Sequence, residues 1–369
     1  MENEKNNGYF PALTGIRAIA AYMVYMYHFN PFSKTLWGGH IHDFVNELNI
    51  GVTLFFVLSG FLIAYRYSNL TNFSFRNYMA NRLARIYPMY FILTTITFLA
   101  YAVVKDKHHM HDLVVYLLNI SFLKGFSEWF SFSGISQGWS LTAEETFYML
   151  APIFFVLIKR SKINLILLPL LSMATGLVLV CFFQHFSFYQ FFDSLHFMFQ
   201  FTFFGRCFEF FIGIALAIFF KAQFFNRKTN YLTYTGMAMI ITCVYLISSL
   251  KGDYEYGIMH PMGKVINTFI LPLFGISVFY LGLLKEKTVI SAMLESRIFV
   301  LLGKSSYIFY LIHMGLLSKM LQAFISSSLL IFILINFISI VLYKYAEEPL
   351  NNYLRKKLRK QNLPVIDQS

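Results

Sequence analysis

Ten apolar stretches of about 20 residues each dominate the sequence, and few folds other than a bundle of membrane-spanning helices accommodate them. An α-helix rises 1.5 Å per residue, so about 20 apolar residues cross the roughly 30 Å hydrocarbon core of a bilayer. Charged residues make up only 13% of the 369 residues, against roughly 25% in an average soluble domain. The predicted spans lie near residues 9–31, 49–66, 86–104, 139–158, 163–183, 199–220, 232–250, 264–284, 299–321 and 327–343. We therefore predict an all-α, polytopic transmembrane bundle of about ten spans.

The distribution of basic residues between the spans predicts the topology. An eleventh apolar run, 113–123, is too short to cross, which makes 105–138 one long external loop. With ten spans, 21 Lys and Arg residues fall on one side and six on the other. By the positive-inside rule the richer side is cytoplasmic, so both termini are predicted there. The net charge of +12 is thus explained by topology rather than by nucleic-acid binding, and we divide the chain into a membrane domain, 1–349, and a basic cytoplasmic tail, 350–369.

This topology predicts the result of reporter fusions. A reporter joined after Ser369 should be cytoplasmic, and one inserted near His109 should lie outside, because an odd number of spans separates the two positions. Enzymatic reporters that are active on only one side of the membrane measure this directly. Reporters on the same side would contradict the predicted number of spans.

The first span carries two ionisable residues, Arg17 and His28, which are costly inside a membrane unless they are paired or hydrated. Eleven residues bring them back to within roughly 20° of one helix face, about 16 Å apart along the axis. A long ligand entering from the cytoplasm could therefore touch both. The alternative is structural: Arg17 pairs with a neighbouring helix, and His28 forms a hydrogen bond at the interface.

A second polar stretch, Trp139–Tyr148, lies where the fourth span enters from the outside. Glu144 and Tyr148 share a helix face at i,i+4, whereas Glu145 points about 100° away. We expect Glu144 and His28 at similar depth, so that the carboxylate orients the imidazole or contacts an acceptor hydroxyl. The alternative is that the two carboxylates complement the dipole at a helix start.

A third polar group, Arg82 and Arg85, is predicted at the cytoplasmic surface of the third span. Guanidinium groups at i,i+3 suit the phosphates of a nucleotide-like donor, although topology anchors would have the same spacing. The loop histidines His108, His109 and His111 lack a second ligand group, and we predict no metal site there.

Together these residues resemble a known family, the acyltransferase 3 family of membrane-bound acyltransferases. The resemblance runs from Tyr9 to about Pro349, and Thr53 stands where many members have an acidic residue. It rests on the following motifs in the family's order: Arg17 and His28 separated by ten residues, Gly-Val-x-x-Phe-Phe-Val-x-Ser-Gly-Phe at 51–61, Arg-x-x-Arg-Ile-x-Pro at 82–88, Trp-Ser-Leu-x-x-Glu-x-x-Phe-Tyr at 139–148, and more loosely Arg206–Gly213, Ser306-Tyr307 with His313, and Glu347-Glu348-Pro349.

The resemblance implies an O-acyltransferase of the bacterial inner membrane. The acyl group, usually acetyl, would pass from acyl-CoA to a hydroxyl of a surface polysaccharide or glycolipid, such as the O-antigen of lipopolysaccharide. No cofactor is expected to be bound permanently. The chain stops at Ser369 without the SGNH-type hydrolase domain of some members, which implies a stand-alone form. The implied catalytic residues are His28 as base, Glu144 and Arg17, and the implied donor- and substrate-binding residues are Arg82, Arg85, Trp139, Ser140, Tyr148, Arg206, Ser306 and His313.

Two other classes of function fit a chain of this kind: a transporter or flippase of a glycan or lipid intermediate, and a membrane scaffold without chemistry. A transporter would also place charges near the midplane, but it typically shows repeat symmetry and matching broken helices in two halves. The sequence shows no such repeat. Cleavage of acetyl-CoA by the purified protein would separate the classes, because a transporter leaves the thioester intact.

Overall fold

The computed structural model describes residues 9–68, 73–104, 110–186, 188–224 and 229–360. Over these ranges the chain is all-α and contains no β-strand, which confirms the predicted fold class. We label the principal helices α1 (Pro11–His28), α2 (Gly51–Tyr67), α3 (Phe75–Val104), α4 (Met110–Ile120), α5 (Trp139–Arg160), α6 (Asn164–Phe183), α7 (Phe203–Lys221), α8 (Leu232–Ser249), α9 (Pro261–Lys285), α10 (Arg297–Ile312), α11 (Leu316–Phe324), α12 (Ser328–Leu342) and α13 (Glu348–Lys360).

The number of spans agrees approximately with the prediction. Within the described ranges, eight helical segments are long and apolar enough to cross a membrane, and the bent pair α10–α11 makes a ninth. Helix α1, with 18 residues, is the remaining predicted span. Arg17 and His28 lower its hydropathy. The side of the membrane on which each terminus lies remains a prediction.

Glycines bring the central helices into backbone contact. Gly60 of α2 and Gly213 of α7 face each other, and a Cβ atom on Gly213 would lie 3.0 Å from the Cα atom of Gly60. Gly15 of α1 and Gly303 of α10 meet in the same way. Such contacts are typical of membrane helices, whose association depends on close packing rather than on the hydrophobic effect. Two of these glycines belong to the family motifs, so their role there is packing.

The predicted span 299–321 is not one straight helix. α10 ends at Ile312, and α11 leaves it at an angle of 85°. The chain turns at Gly315, whose φ of 96° favours glycine. A broken helix leaves carbonyl groups without intrahelical partners, and Gln137 Nε2 donates hydrogen bonds to two of them, Tyr310 O at 2.7 Å and Leu311 O at 3.0 Å.

The predicted external loop, 105–138, contains the 11-residue helix α4 and is tightly packed after it. Lys124, predicted as an external charge, is buried, and its Nζ donates to Ser133 O at 2.7 Å and Ile135 O at 2.6 Å. Burial lowers the pKa of Lys124 to about 7. Residues 105–109, which include two of the loop histidines, lie outside the described ranges.

The basic tail begins as a helix. α13 starts at Glu348, two residues before the predicted boundary, and packs along α3. A π-helical turn, Tyr343–Glu347, connects it to α12 and buries Glu347. Residues 361–369 of the predicted tail lie outside the described ranges.

Candidate active site

A first cavity, which we call the arginine cavity, lies between α1, α2, α3, α5 and α10. Three guanidinium groups, one carboxylate and several hydroxyl groups line it together with apolar side chains. The polar lining residues are Arg17, Ser59, Arg82, Arg85, Ser140, Glu144, Tyr148, Tyr307 and Tyr310. Residues from five of the motifs that carry the family resemblance thus line one cavity.

The three arginines of this cavity form no contact ion pair with a carboxylate of the described residues. Within the described ranges, no carboxylate oxygen lies within 4 Å of the guanidinium nitrogens of Arg17, Arg82 or Arg85. Arg82 is only 6% exposed, and its Nε has no hydrogen-bond partner there. Arg17 and Arg82 both act electrostatically on Arg85 as like charges. A cavity of this kind favours an anionic ligand.

Arg82 and Arg85 lie in the first part of α3, which begins at Phe75 and continues through Pro88. Arg82 is about two helical turns after the start of α3, and its guanidinium packs near the ring of Tyr148, 6.0 Å from the centroid. Arg82 is buried and Arg85 is half-buried, and both line the arginine cavity. Their location at the cytoplasmic surface of the membrane stays a prediction.

Glu144 faces the arginine cavity. Its carboxylate accepts a hydrogen bond from Ser59 Oγ, and Tyr148 Oη lies 3.3 Å from the same Ser59 oxygen. Arg17 and Arg85 act on the carboxylate electrostatically. Glu144 stands in the second turn of α5, which begins at Trp139, so it is too far from the helix start to complement the first turn.

Glu145, which is not among the predicted site residues, is buried as well. It is 7% exposed, and its electrostatic partners are Glu144 and Arg82. Glu347 of the π-helical turn also acts electrostatically on Arg85 and Arg17. The sequence analysis names Glu347 only as part of the motif at 347–349. The position of this motif in the sequence does not indicate that the end of the chain packs against α3.

A second cavity, the histidine cavity, adjoins the first. Its lining includes His28, Trp139 and Arg206. Val52 and Tyr310 line both cavities and form the wall between them. The two cavities thus lie along the Arg17–His28 axis of α1, as the spacing of those residues predicted.

Glu144 and His28 line different cavities, contrary to the expectation that the carboxylate orients the imidazole. Glu144 lies five residues, about 7.5 Å, along α5 from Trp139 and meets Ser59 of α2. The ring neighbours of His28 are Tyr27, with centroids 4.7 Å apart, and His313, at 5.4 Å. Helical periodicity predicts which face of its own helix each residue occupies. It does not predict how α1, α2 and α5 pack against one another.

His313 lies beside His28 but lines neither cavity. It caps α10 at the helix break and is 0% exposed. Its Nδ1 lies 2.8 Å from Tyr310 O, and because a carbonyl only accepts, Nδ1 carries the proton. The other nitrogen, Nε2, is buried without a hydrogen-bond partner in the described part of the chain. His313 therefore presents an unused acceptor beside His28.

Arg206 is fully engaged by the protein. Its Nε donates to Glu209 Oε1 at 2.7 Å, and a terminal nitrogen donates to Thr53 Oγ1 at 3.0 Å. Thr53 Oγ1 in turn donates to Asn267 Oδ1 at 3.2 Å. This network makes Arg206 a brace between α2, α7 and α9 rather than a free cation. Arg206 and Asn267 are thus the hydrogen-bond partners of Thr53, the position at which many family members have an acidic residue.

The two predicted serines differ in position. Ser140 Oγ lies 2.9 Å from Tyr310 Oη and lines the arginine cavity beside the wall. Ser306 donates to Gly303 O at 2.8 Å within its own helix, is buried, and lines neither cavity. The structure therefore brings Ser140 into the candidate site and leaves Ser306 out. Tyr310, which the sequence reasoning missed, lines both cavities.

Comparisons with known proteins identify a family for the chain. The family model described as an acyltransferase domain, Acyl_transf_3, matches residues 10–344. A predicted O-acetyltransferase of Staphylococcus aureus (strain COL) is 24% identical over 98% of this chain and 59% of its own length. A predicted peptidoglycan O-acetyltransferase of Bacillus subtilis (strain 168), YrhL, is 28% identical over 65% of this chain and 39% of its own.

A predicted acetyltransferase of Acidianus two-tailed virus is 31% identical over 47% of each chain. No solved structure matches. The chain spans about 59% of the length of the Staphylococcus relative that it matches. The family model covers nearly the whole membrane bundle, including both cavities. The chain therefore belongs to the acyltransferase 3 family of membrane acyltransferases.

Proposed function

We propose that the protein is an O-acetyltransferase of the bacterial inner membrane. It takes the acetyl group from acetyl-CoA in the arginine cavity and transfers it to a hydroxyl of a surface glycan in the histidine cavity. The observation that carries this proposal is the set of three guanidinium groups, without a contact ion pair among the described residues, in a cavity that shares a wall with the cavity of His28.

The donor follows from the charge of the arginine cavity. Arg17, Arg82 and Arg85 present donors in planar forks, which match phosphate oxygens better than any other side chain. Coenzyme A carries several phosphate charges at one end and the acyl thioester at the end of a long, uncharged arm. With the phosphates at the arginines, that arm points along the cavity to the wall formed by Val52 and Tyr310.

The chemistry requires a base at the acceptor hydroxyl. A neutral His28 imidazole takes the hydroxyl proton while the oxygen attacks the thioester carbonyl. A carbon–oxygen bond forms, the carbon–sulfur bond breaks, and the imidazolium returns the proton to the leaving thiolate. In an alternative route His28 itself accepts the acyl group before passing it on. Glu144, held by Ser59, stabilises the positive charge of Arg17 and Arg85.

The acceptor class comes from the family and its relatives. We propose a cell-surface polysaccharide or glycolipid, such as O-antigen, and the relative described as acting on peptidoglycan is consistent with a polymer of sugars. A transporter or flippase is the alternative. Release of free CoA from acetyl-CoA by the purified protein tests the proposal, and an intact thioester in the presence of glycan acceptors would favour transport.

Donor binding should depend on the arginine pair. Arg82→Ala and Arg85→Ala should each weaken acetyl-CoA binding by about tenfold or more, because a charge-assisted hydrogen bond contributes roughly 1.5–3 kcal/mol. Isothermal titration of the folded protein with acetyl-CoA measures the effect. Arg76→Ala is the matched control, since Arg76 is exposed on the same helix. Unchanged affinity in both variants would leave the pair as structural residues.

A further inference from the structure

We infer that the histidine cavity holds an uncharged saccharide ring, and that Asn49 Oδ1 and Gln137 Oε1 accept hydrogen bonds from its hydroxyl or amide N–H groups. Both residues line the cavity together with His28. The inference deepens the proposed function, because it identifies the ring as the acyl acceptor. Binding of the ring itself does not depend on that function.

The side chain of Gln137 is fixed by the helix break. Its Nε2 donates to Tyr310 O and Leu311 O, at 2.7 Å and 3.0 Å. Because carbonyl oxygens only accept, the amide cannot be flipped, and the remaining atom is the acceptor Oε1. Gln137 is 3% exposed, and within the described ranges Oε1 has no hydrogen-bond partner. A buried, unsatisfied and rigidly oriented acceptor on a cavity wall is costly unless a ligand donates to it.

A second acceptor of the same kind comes from a different part of the chain. Asn49 lies in the short helical turn Leu48–Ile50 that precedes α2. Its Oδ1 is buried and has no hydrogen-bond partner in the described part of the protein. Two carboxamide oxygens among the lining residues favour a ligand with at least two donor groups. An alkyl chain has none, whereas a sugar ring carries several hydroxyl groups.

The charges around the histidine cavity favour an uncharged sugar ring over an anionic one. No aspartate or glutamate is among its described lining residues. Arg206, its one guanidinium group, is neutralised by Glu209 at 2.7 Å. The two unpaired amide oxygens carry partial negative charge and would repel a carboxylate. This contrasts with the arginine cavity next to it, whose cations form no contact ion pair within the described ranges and suit an anion.

The remaining wall is aromatic, as expected for the apolar faces of a sugar ring. Trp139 packs edge-on against Phe201, with centroids 5.0 Å apart, and Phe201 packs against Phe132 at 5.2 Å. Tyr27 and Tyr256 form a second pair at 5.4 Å. Such side chains combine an apolar surface with a few polar groups.

Trp139 also provides a direct probe of binding. The chain contains three tryptophans, and the other two, Trp37 and Trp129, are 55% and 62% exposed. Replacing both by Phe leaves Trp139 as the sole tryptophan, in the cavity wall. The purified full-length protein is titrated with methyl β-glucopyranoside, methyl N-acetyl-β-glucosaminide and methyl β-glucuronide while Trp139 emission is followed.

We expect a saturable change in Trp139 emission with the two uncharged glycosides and binding at least tenfold weaker with the glucuronide. Asn49→Leu and Gln137→Met preserve side-chain size but remove the acceptor oxygens. Each should raise the dissociation constant by about tenfold, which corresponds to one lost hydrogen bond. Gln322→Met, outside both cavities, is the matched control and should bind as the parent. Asn49→Leu keeps the test valid if Gln137→Met fails to fold, because Asn49 makes no bond to the helix break.

The same samples are assayed for free CoA released from acetyl-CoA. Unchanged glycoside affinity in Asn49→Leu would overturn the assignment of the amide oxygens. Binding of the glucuronide as tight as that of the uncharged glycosides would overturn the charge argument. Thioester cleavage without any glycoside effect on Trp139 would overturn the inference and leave the proposed function standing. Glycoside binding without thioester cleavage would support the inference and contradict the proposed function.

Discussion

His28→Gln should reduce acetyl transfer by about 10²- to 10⁴-fold, the usual contribution of a general base. Glutamine has a hydrogen-bonding group of similar reach, so it preserves packing, but it cannot take a proton from the acceptor. His28 lines the histidine cavity on the same face of α1 as Arg17, with His313 beside it. The measurement is free CoA and acetylated glycan produced per mole of folded variant.

Two comparison variants make the His28 result specific. His185→Gln replaces an exposed histidine in the turn after α6 and should leave turnover unchanged. His313→Ala removes the neighbouring imidazole and should have a smaller effect than His28→Gln, because His313 lines neither cavity. Near-parental turnover in His28→Gln would make His28 structural and move the search for a base to other residues of the site.

Gly60→Ala should prevent the protein from reaching its folded state. The added Cβ atom would collide with the carbonyl oxygen of Phe210 in α7, and backbone on both sides leaves no flexible group to move. Separating α2 from α7 would disturb both cavities, which contain Val52 and Ser59 from α2 and Arg206 from α7. We expect destabilisation of about 4 kcal/mol or more, among the largest effects of single substitutions. Size-exclusion chromatography of detergent-solubilised protein measures the folded fraction.

Gly275→Ala is the matched control. At that position the nearest atoms are side-chain carbons of Ile240 and Leu271, 3.1 Å and 3.3 Å from the added Cβ. These side chains can shift, so most of the folded protein should remain. A normal yield of folded Gly60→Ala would show that α2 and α7 tolerate a larger separation than their contact suggests.

Much of the fold could be predicted from the sequence because the membrane restricts the possibilities so strongly. Long apolar runs must be helices, since backbone groups in the bilayer must satisfy one another. The break between α10 and α11 could not be predicted in this way. Residues 299–321 read as one apolar stretch, and the carbonyl groups freed at the break are bonded by Gln137, more than 170 residues earlier in the chain.

The residues of the candidate site were predicted less completely than the fold. Periodicity placed Arg17 and His28 on one face of α1, and the structure has them at two adjoining cavities. It could not show which residues from other helices complete those cavities, because helix crossings depend on packing contacts such as Gly60 with Gly213. Tyr310 and Gln137 were therefore missed, and Ser306 was included although its hydroxyl bonds within its own helix.

The wall between the cavities has a consequence for the membrane as an electrical insulator. Val52 and Tyr310 are the side chains that the two cavities share, so the barrier there is one residue layer thick instead of the roughly 30 Å of hydrocarbon around it. If the two cavities contain water and open to opposite sides of the membrane, the membrane potential falls mainly across that layer, and it contributes about 2.3 kcal/mol per charge at 100 mV. A proton crossing between the two cavities would then experience nearly the full voltage. In the proposed mechanism Tyr310 would therefore have to admit an acetyl group while it blocks ions.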